Sequence, residues 1–112
     1  MAKKKQQIVG RWRITAMTEW EQDFVNAEVP GYFEFTKNFL GEFQFGYVRC
    51  GIDWRNEERD GRPTVEFSFD GMDEMTPTSG QGWADLNGDT LDGMLFFHHG
   101  DDSGFKARKA AE

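Results

Sequence analysis

Residues Val65-Glu66-Phe67-Ser68-Phe69-Asp70 alternate apolar and polar without a break, so three apolar side chains share one face and three polar ones the other. A period of two is that of a half-buried β-strand. Phe33-Glu34-Phe35 and Phe43-Gln44-Phe45 repeat it. In the first segment Ile8, Gly10, Trp12, Ile14 and Ala16 share one face, and Arg11, Arg13 and Thr15 the other. From Gly46 to Trp54 both faces are apolar, which predicts a long, bent or bulged central strand with Gly46 or Gly51 easing the bend.

Turn signals punctuate these segments at Pro30-Gly31, Asn38 to Gly41, Asp60-Gly61, Gly71 to Gly80, Asn87-Gly88 and Gly100 to Gly104. Asp-Gly and Asn-Gly supply the positive φ angles of tight hairpins. The predicted strands are 8–18, 31–37, 41–55, 62–70, 79–87, 91–99 and 104–109. One stretch departs from the β pattern: Trp20 and Phe24 lie four apart in Glu19 to Val25, the spacing of one or two helical turns. The fold class is therefore all-β, an antiparallel up-and-down meander of about seven strands with a short helix near 19–25. Closing that meander into a small barrel removes exposed sheet edges, and a strongly curled open sheet is the near alternative.

Length and composition narrow the picture. With 112 residues the chain makes one domain, predicted over 8–109 between a basic tail at 1–7 and a short tail at 110–112. No apolar run approaches the ~20 residues of a membrane span, and no apolar stretch follows Lys3-Lys4-Lys5 as a secretory signal requires. The one cysteine, Cys50, forms no internal disulfide, which suits a reducing, cytoplasmic setting. The net charge is −7, yet six of the 13 Lys and Arg lie in the two end segments, leaving the body more acidic still. Such a surface repels a phosphate backbone and anionic lipid, so neither nucleic acid nor membrane is an expected partner.

Gly10-Arg11-Trp12 in the first strand, together with Lys106 and Arg108 in the last, resembles the signature of the lipocalin and fatty-acid-binding superfamily, the calycins. In that family a first-strand Gly-x-Trp packs its indole beneath a basic side chain of the final strand. The resemblance implies a barrel with Trp12 near its closed end and Arg108, or Lys106 in another register, stacked over it. Ile8 to Ile14, Gly41 to Gly46, Glu58 to Pro63 and Gly100 to Phe105 also resemble a family of small bacterial proteins with no activity attached to it. That likeness implies a bacterial, intracellular protein and contributes no chemistry.

The densest chemical cluster is Phe96-Phe97-His98-His99-Gly100-Asp101-Asp102-Ser103. Imidazoles beside carboxylates can hold a metal, or a His–Asp pair can act as a general base with Ser103 nearby. Against this, adjacent strand residues point to opposite faces, and Asp and Ser are ordinary hairpin residues. Asp85-Leu86-Asn87-Gly88-Asp89 starts like a calcium loop but lacks the later glycine and glutamate, and reads as a hairpin. Arg49 and Asp53 share a face of the central strand; inside a barrel Arg49 would need a carboxylate, its own or a ligand's, whereas on solvent the pair is unremarkable. Cys50 lacks a basic activator on its face and reads as a small buried hydrophobe.

Eleven Phe, four Trp and two Tyr are ample to fill a small barrel. Surplus rings such as Trp20, Tyr32, Tyr47 and Trp54 would suit a pocket mouth or an interface. The expected function is a non-enzymatic binding module for an apolar or aromatic small ligand, with Trp12, Arg49, Trp54, His98 and Arg108 as ligand-binding candidates and no cofactor. A protein–protein adaptor or homo-oligomer is the first alternative, and a hydrolase or metal site around His98 and Asp102 the second.

Overall fold

The two-residue alternation and the closely spaced turns produce eight antiparallel strands and one short helix. The computed structural model describes residues 8–110. In chain order the elements are β1 (Gly10–Met17), α1 (Gln22–Val25), β2 (Tyr32–Phe35), β3 (Leu40–Phe45), β4 (Val48–Arg59), β5 (Arg62–Asp73), β6 (Thr76–Asn87), β7 (Thr90–Phe97) and β8 (Asp102–Lys109). Each strand pairs with the next, and β8 pairs back onto β1, so the sheet closes into a barrel. The expected all-β antiparallel meander is thus closed, with eight strands in place of about seven. Of the tails predicted at 1–7 and 110–112, residues 1–7 and 111–112 lie outside the described residues. Ala110, the first residue of the expected C-terminal tail, donates its N–H to Arg11 O at 2.9 Å.

The added strand comes from the segment 41–55. It is two strands joined by a two-residue turn at Gly46-Tyr47, with Phe45 directly opposite Val48. Along one strand Phe45 and Val48, three apart, would face opposite ways; across a tight hairpin they face the same way. The apparent double-sided apolar pattern is therefore a reset of parity at Gly46, whose φ of 56° few other residues adopt without strain. Gly71 and Gly80 correct the expectation in the other direction. They lie inside the β5–β6 ladder, and the turn between those strands is confined to Glu74-Met75. Asp60-Gly61, with both φ angles positive, is the tight turn its sequence predicts.

A bulge bends β1. Ile14 pairs with Ala107 but Ala16 with Lys106, so Thr15 is an extra residue on β1. Past it the facing reverses: Met17 is buried and Ala16 exposed, contrary to the simple alternation.

The interior is filled by rings. Phe33 lies against Phe105 at 4.5 Å between centroids and against Phe43 at 5.1 Å, while Phe43 meets Phe69 at 5.0 Å. Inward glycines make the room. Gly80, Gly82 and Gly93 sit directly opposite Phe69, Phe67 and Phe105. A methyl group at those glycines would meet the rings at 2.7, 2.8 and 2.8 Å. Each buried phenyl contributes roughly 1.5–3 kcal/mol of apolar burial, so trading three small side chains for close ring packing favours the closed form.

Candidate binding site at the barrel mouth

Two ends of the barrel differ. One, here the closed end, carries Ile8 and the β2–β3, β4–β5 and β6–β7 turns; the other, the mouth, carries α1 and the β3–β4, β5–β6 and β7–β8 turns. At the mouth β7 stops at Phe97, and residues 98–101 turn back into β8. His98 donates its N–H to Ser79 O at 2.7 Å, Phe97 to Asp101 O at 3.1 Å, and Gly100 to Phe97 O at 3.0 Å. His99 occupies the left-handed region at φ 60°. Strand alternation thus ends before the two histidines, whose rings lie 4.0 Å apart instead of on opposite faces. Both line a pocket of about 340 Å³ at the mouth, together with Trp20, Asp73, Phe97 and Asp101.

Trp20, just before α1, and Phe24 within it form the roof. Glu21 precedes α1 in an extended conformation, and one helical turn brings the Phe24 ring to 6.3 Å from Trp20. Phe24 packs on Gly46, where any side chain would collide with it, and Gly46 donates its N–H to Val25 O at 2.9 Å. Trp20 then leans on Phe45 at 4.9 Å and stands edge-on to Phe97 at 6.1 Å. Its indole N–H has no hydrogen-bond partner among the described residues, whereas those of Trp12 and Trp54 are satisfied by Ile8 O at 2.8 Å and Leu40 O at 2.9 Å. Neither Asp73 nor Asp101 has an ion-pair partner among the described residues. Trp20, which the sequence marks only as a surplus aromatic, lines the pocket with Phe97. Asp73 falls in a segment that reads as loop, and no local signal marks it.

The remaining sequence candidates lie elsewhere. Trp12 and Trp54 are buried in the core at the closed end. Arg49 is exposed on the outer face of β4, and Asp53, four residues on and so about 13 Å away along a strand, forms no ion pair with it. Arg108 is exposed, opposite Arg13. The cation over Trp12 is Lys109, whose Nζ lies 4.8 Å from the indole centroid and donates to Val9 O at 2.7 Å. Parity explains it: Ser103, Phe105 and Ala107 face inward, so 109 does and 108 does not. That inward series was the signal available to find it.

Catalytic chemistry finds little geometry here. Ser103 is fully buried and donates to Gly104 O at 2.9 Å, while its oxygen accepts the Glu19 N–H at 3.3 Å; it is not among the residues lining the mouth pocket. Cys50 faces the core, where burial, with smaller contributions from the Asp70 and Asp73 carboxylates, pushes its thiol up to about 12. A thiol held protonated is a poor nucleophile. Among the described residues no three His, Cys, Asp or Glu side chains gather as metal ligands would. On the outer wall Arg11 pairs with Glu34 at 2.5 Å and lies 4.0 Å over the Tyr32 ring; Tyr32 donates its hydroxyl to Glu42 at 2.8 Å. Burial first, then that hydrogen bond, raises the Tyr32 hydroxyl above its ordinary value. This cluster braces β1, β2 and β3.

No helix among the described residues is long and apolar enough to cross a membrane. In comparisons with known proteins, no family model, no curated protein and no solved structure matches this chain.

Proposed function

We propose that this protein is a non-enzymatic binding module that takes a small aromatic or apolar group at the barrel mouth. The mouth pocket carries the reading: about 340 Å³, with an indole and a phenyl ring beside a few polar groups from the β7–β8 turn. That combination is what small-molecule sites require, at the small end of their usual range of roughly 300–1,000 Å³. The barrel axis is packed with rings, so the ligand is held at the opening and not along the interior. Of the residues expected from sequence, His98 keeps a ligand-facing role, joined by Trp20, Phe97 and His99. Lys109 over Trp12 supports a calycin-like architecture for the scaffold. A single buried thiol with no partner cysteine suits a reducing, cytoplasmic setting.

The test is a fragment screen of small aromatic compounds followed by backbone and indole NMR shifts of the full chain. Movement confined to Trp20 and residues 97–101, lost in Trp20→Ala, supports the reading. Shifts elsewhere, or none at all, overturn it.

A second reading has its own observation. Tyr47, Met72 and Met75 are exposed on or beside the β3–β4 and β5–β6 turns, Met75 at 90%. Exposed apolar side chains next to an opening suit a protein partner or a second copy of this chain. Light scattering across a concentration series, repeated on Met72→Ser/Met75→Ser, separates a self-associating protein from a monomer.

A further inference from the structure

We propose that the mouth pocket selects organic cations, a protonated amine joined to an aromatic or apolar body. The inference rests on the reading of the mouth as the ligand site and specifies its chemistry. Asp73 ends β5 and Asp101 closes the β7–β8 turn, so two strand ends far apart in sequence bring carboxylates to one pocket. Among the described residues His98 and His99 are the basic side chains lining it, no lysine or arginine does, and neither carboxylate is neutralised by an ion pair. Arg49 and Arg108, the cations that would orient an acidic ligand, lie exposed on the outer wall. The Trp20 and Phe97 rings add the second half of the recognition, because aromatic faces attract cations as well as apolar surface.

A ligand that meets these groups places its ring against Trp20 and Phe97 and its ammonium between the carboxylates. Charge-assisted N–H···O bonds then hold the ammonium end. The chain's net charge of −7 adds a long-range attraction for the same ligands and repels carboxylates. An anionic analogue of equal size would meet two like charges at the opening.

Three ligands of one shape decide it: tryptamine, 3-ethylindole and indole-3-acetate, titrated into the full chain at low salt with NMR shifts as readout. Tryptamine is expected to bind at least tenfold tighter than 3-ethylindole, and indole-3-acetate weakest. Asp73→Asn and Asp101→Asn should each remove several-fold of the tryptamine preference and leave 3-ethylindole unchanged, with the same spectra reporting that each variant is folded. If all three ligands move Trp20 and residues 97–101 with equal affinity, the mouth remains the site and the selectivity for cations falls. If the two Asp variants fold and bind tryptamine as the parent does, the carboxylates are not its partners and the inference falls. If no ligand moves those resonances, the mouth is not the site for this class, and both readings fall together.

Discussion

At the closed end the two buried indoles, Trp12 and Trp54, are tied down by hydrogen bonds; at the mouth the Trp20 indole has no such bond among the described residues. Trp12 satisfies its indole N–H on Ile8 O and carries Lys109 over its face, and Lys109 in turn holds Val9 O. Trp54 donates to Leu40 O, with Phe39 packed 4.8 Å from its ring. Trp20 at the mouth makes ring contacts alone, against Phe24, Phe45 and Phe97. The same residue type therefore does two jobs. Where the indole N–H is bonded, the ring is scaffold; at the mouth, among the described residues, the Trp20 N–H and the Asp73 and Asp101 carboxylates have no such partner, which is the feature the proposed binding role rests on.

Substitution of the two tryptophans is the sharpest way to break this comparison. Trp12→Ala removes a fully buried indole and its bonds, and should cost about 3–5 kcal/mol in urea unfolding, as large core truncations do. Trp20→Ala should cost about 1–2 kcal/mol, since the ring is only part-buried, while abolishing ligand shifts at the mouth. Equal losses from the two would erase the distinction between the ends.

The waist shared by both ends gives the next largest effect. Gly82→Ala pushes a methyl against the Met94 carbonyl oxygen, at 2.5 Å, and into the Phe67 ring, at 2.8 Å, and should cost about 1–3 kcal/mol by overpacking. Gly51→Ala is its control. It points outward with no atom nearer than 3.9 Å to the new methyl, and should leave stability unchanged or slightly higher in the same unfolding assay.

Lys109 and Arg108 test the closed end itself. Lys109→Met forfeits the stack on Trp12 and the bond to Val9 O, and should cost about 1–2 kcal/mol. Arg108→Met, on the outer wall beside Arg13, should stay within about 0.5 kcal/mol. A reversed order would place Arg108 over the indole instead.

The last test, at Cys50, is confined to alkali and leaves neutral pH untouched. Its thiol titrates near 12 in the folded protein against 9.0 ordinarily, so in alkali the unfolded chain loses the proton first. The folded state then binds more protons than the unfolded state, and stability falls as pH rises from about 9 towards 12, with no contribution below 9. Unfolding curves of wild type and Cys50→Ala should diverge less as pH climbs through that window. Iodoacetamide at pH 8 should leave native Cys50 unlabelled and label it in urea.

How far the chain itself announces this arrangement varies by element. The alternation in 65–70 and the pairs Phe33/Phe35 and Phe43/Phe45 are read correctly because each face of a strand is set by neighbours two apart. The helical turn at Gln22–Val25 falls inside the expected stretch 19–25, but Trp20, whose spacing from Phe24 pointed to it, precedes the extended Glu21 and lies outside the helix. Gly46 hides a hairpin because Gly46-Tyr47 is not a familiar turn pair, and a parity reset looks like a strand with two apolar faces. Gly71 and Gly80 look like loop because glycine signals a turn and a close ring contact equally well; the Phe69 ring over Gly80 comes from the neighbouring strand.

Local pattern alone therefore determined an antiparallel, aromatic-cored meander of short strands with one helical turn, since side-chain direction follows from residues two or four apart. Only closure and register decided the rest: that Lys109 covers Trp12, that Ser103 is locked to Glu19, and that Asp73 meets His98, His99 and Asp101 at one opening. Those meetings join residues dozens of positions apart, and a one-residue slip or a single bulge would exchange the side chains involved. Spacing along the chain does not carry that information; the pairing of strands around the barrel does.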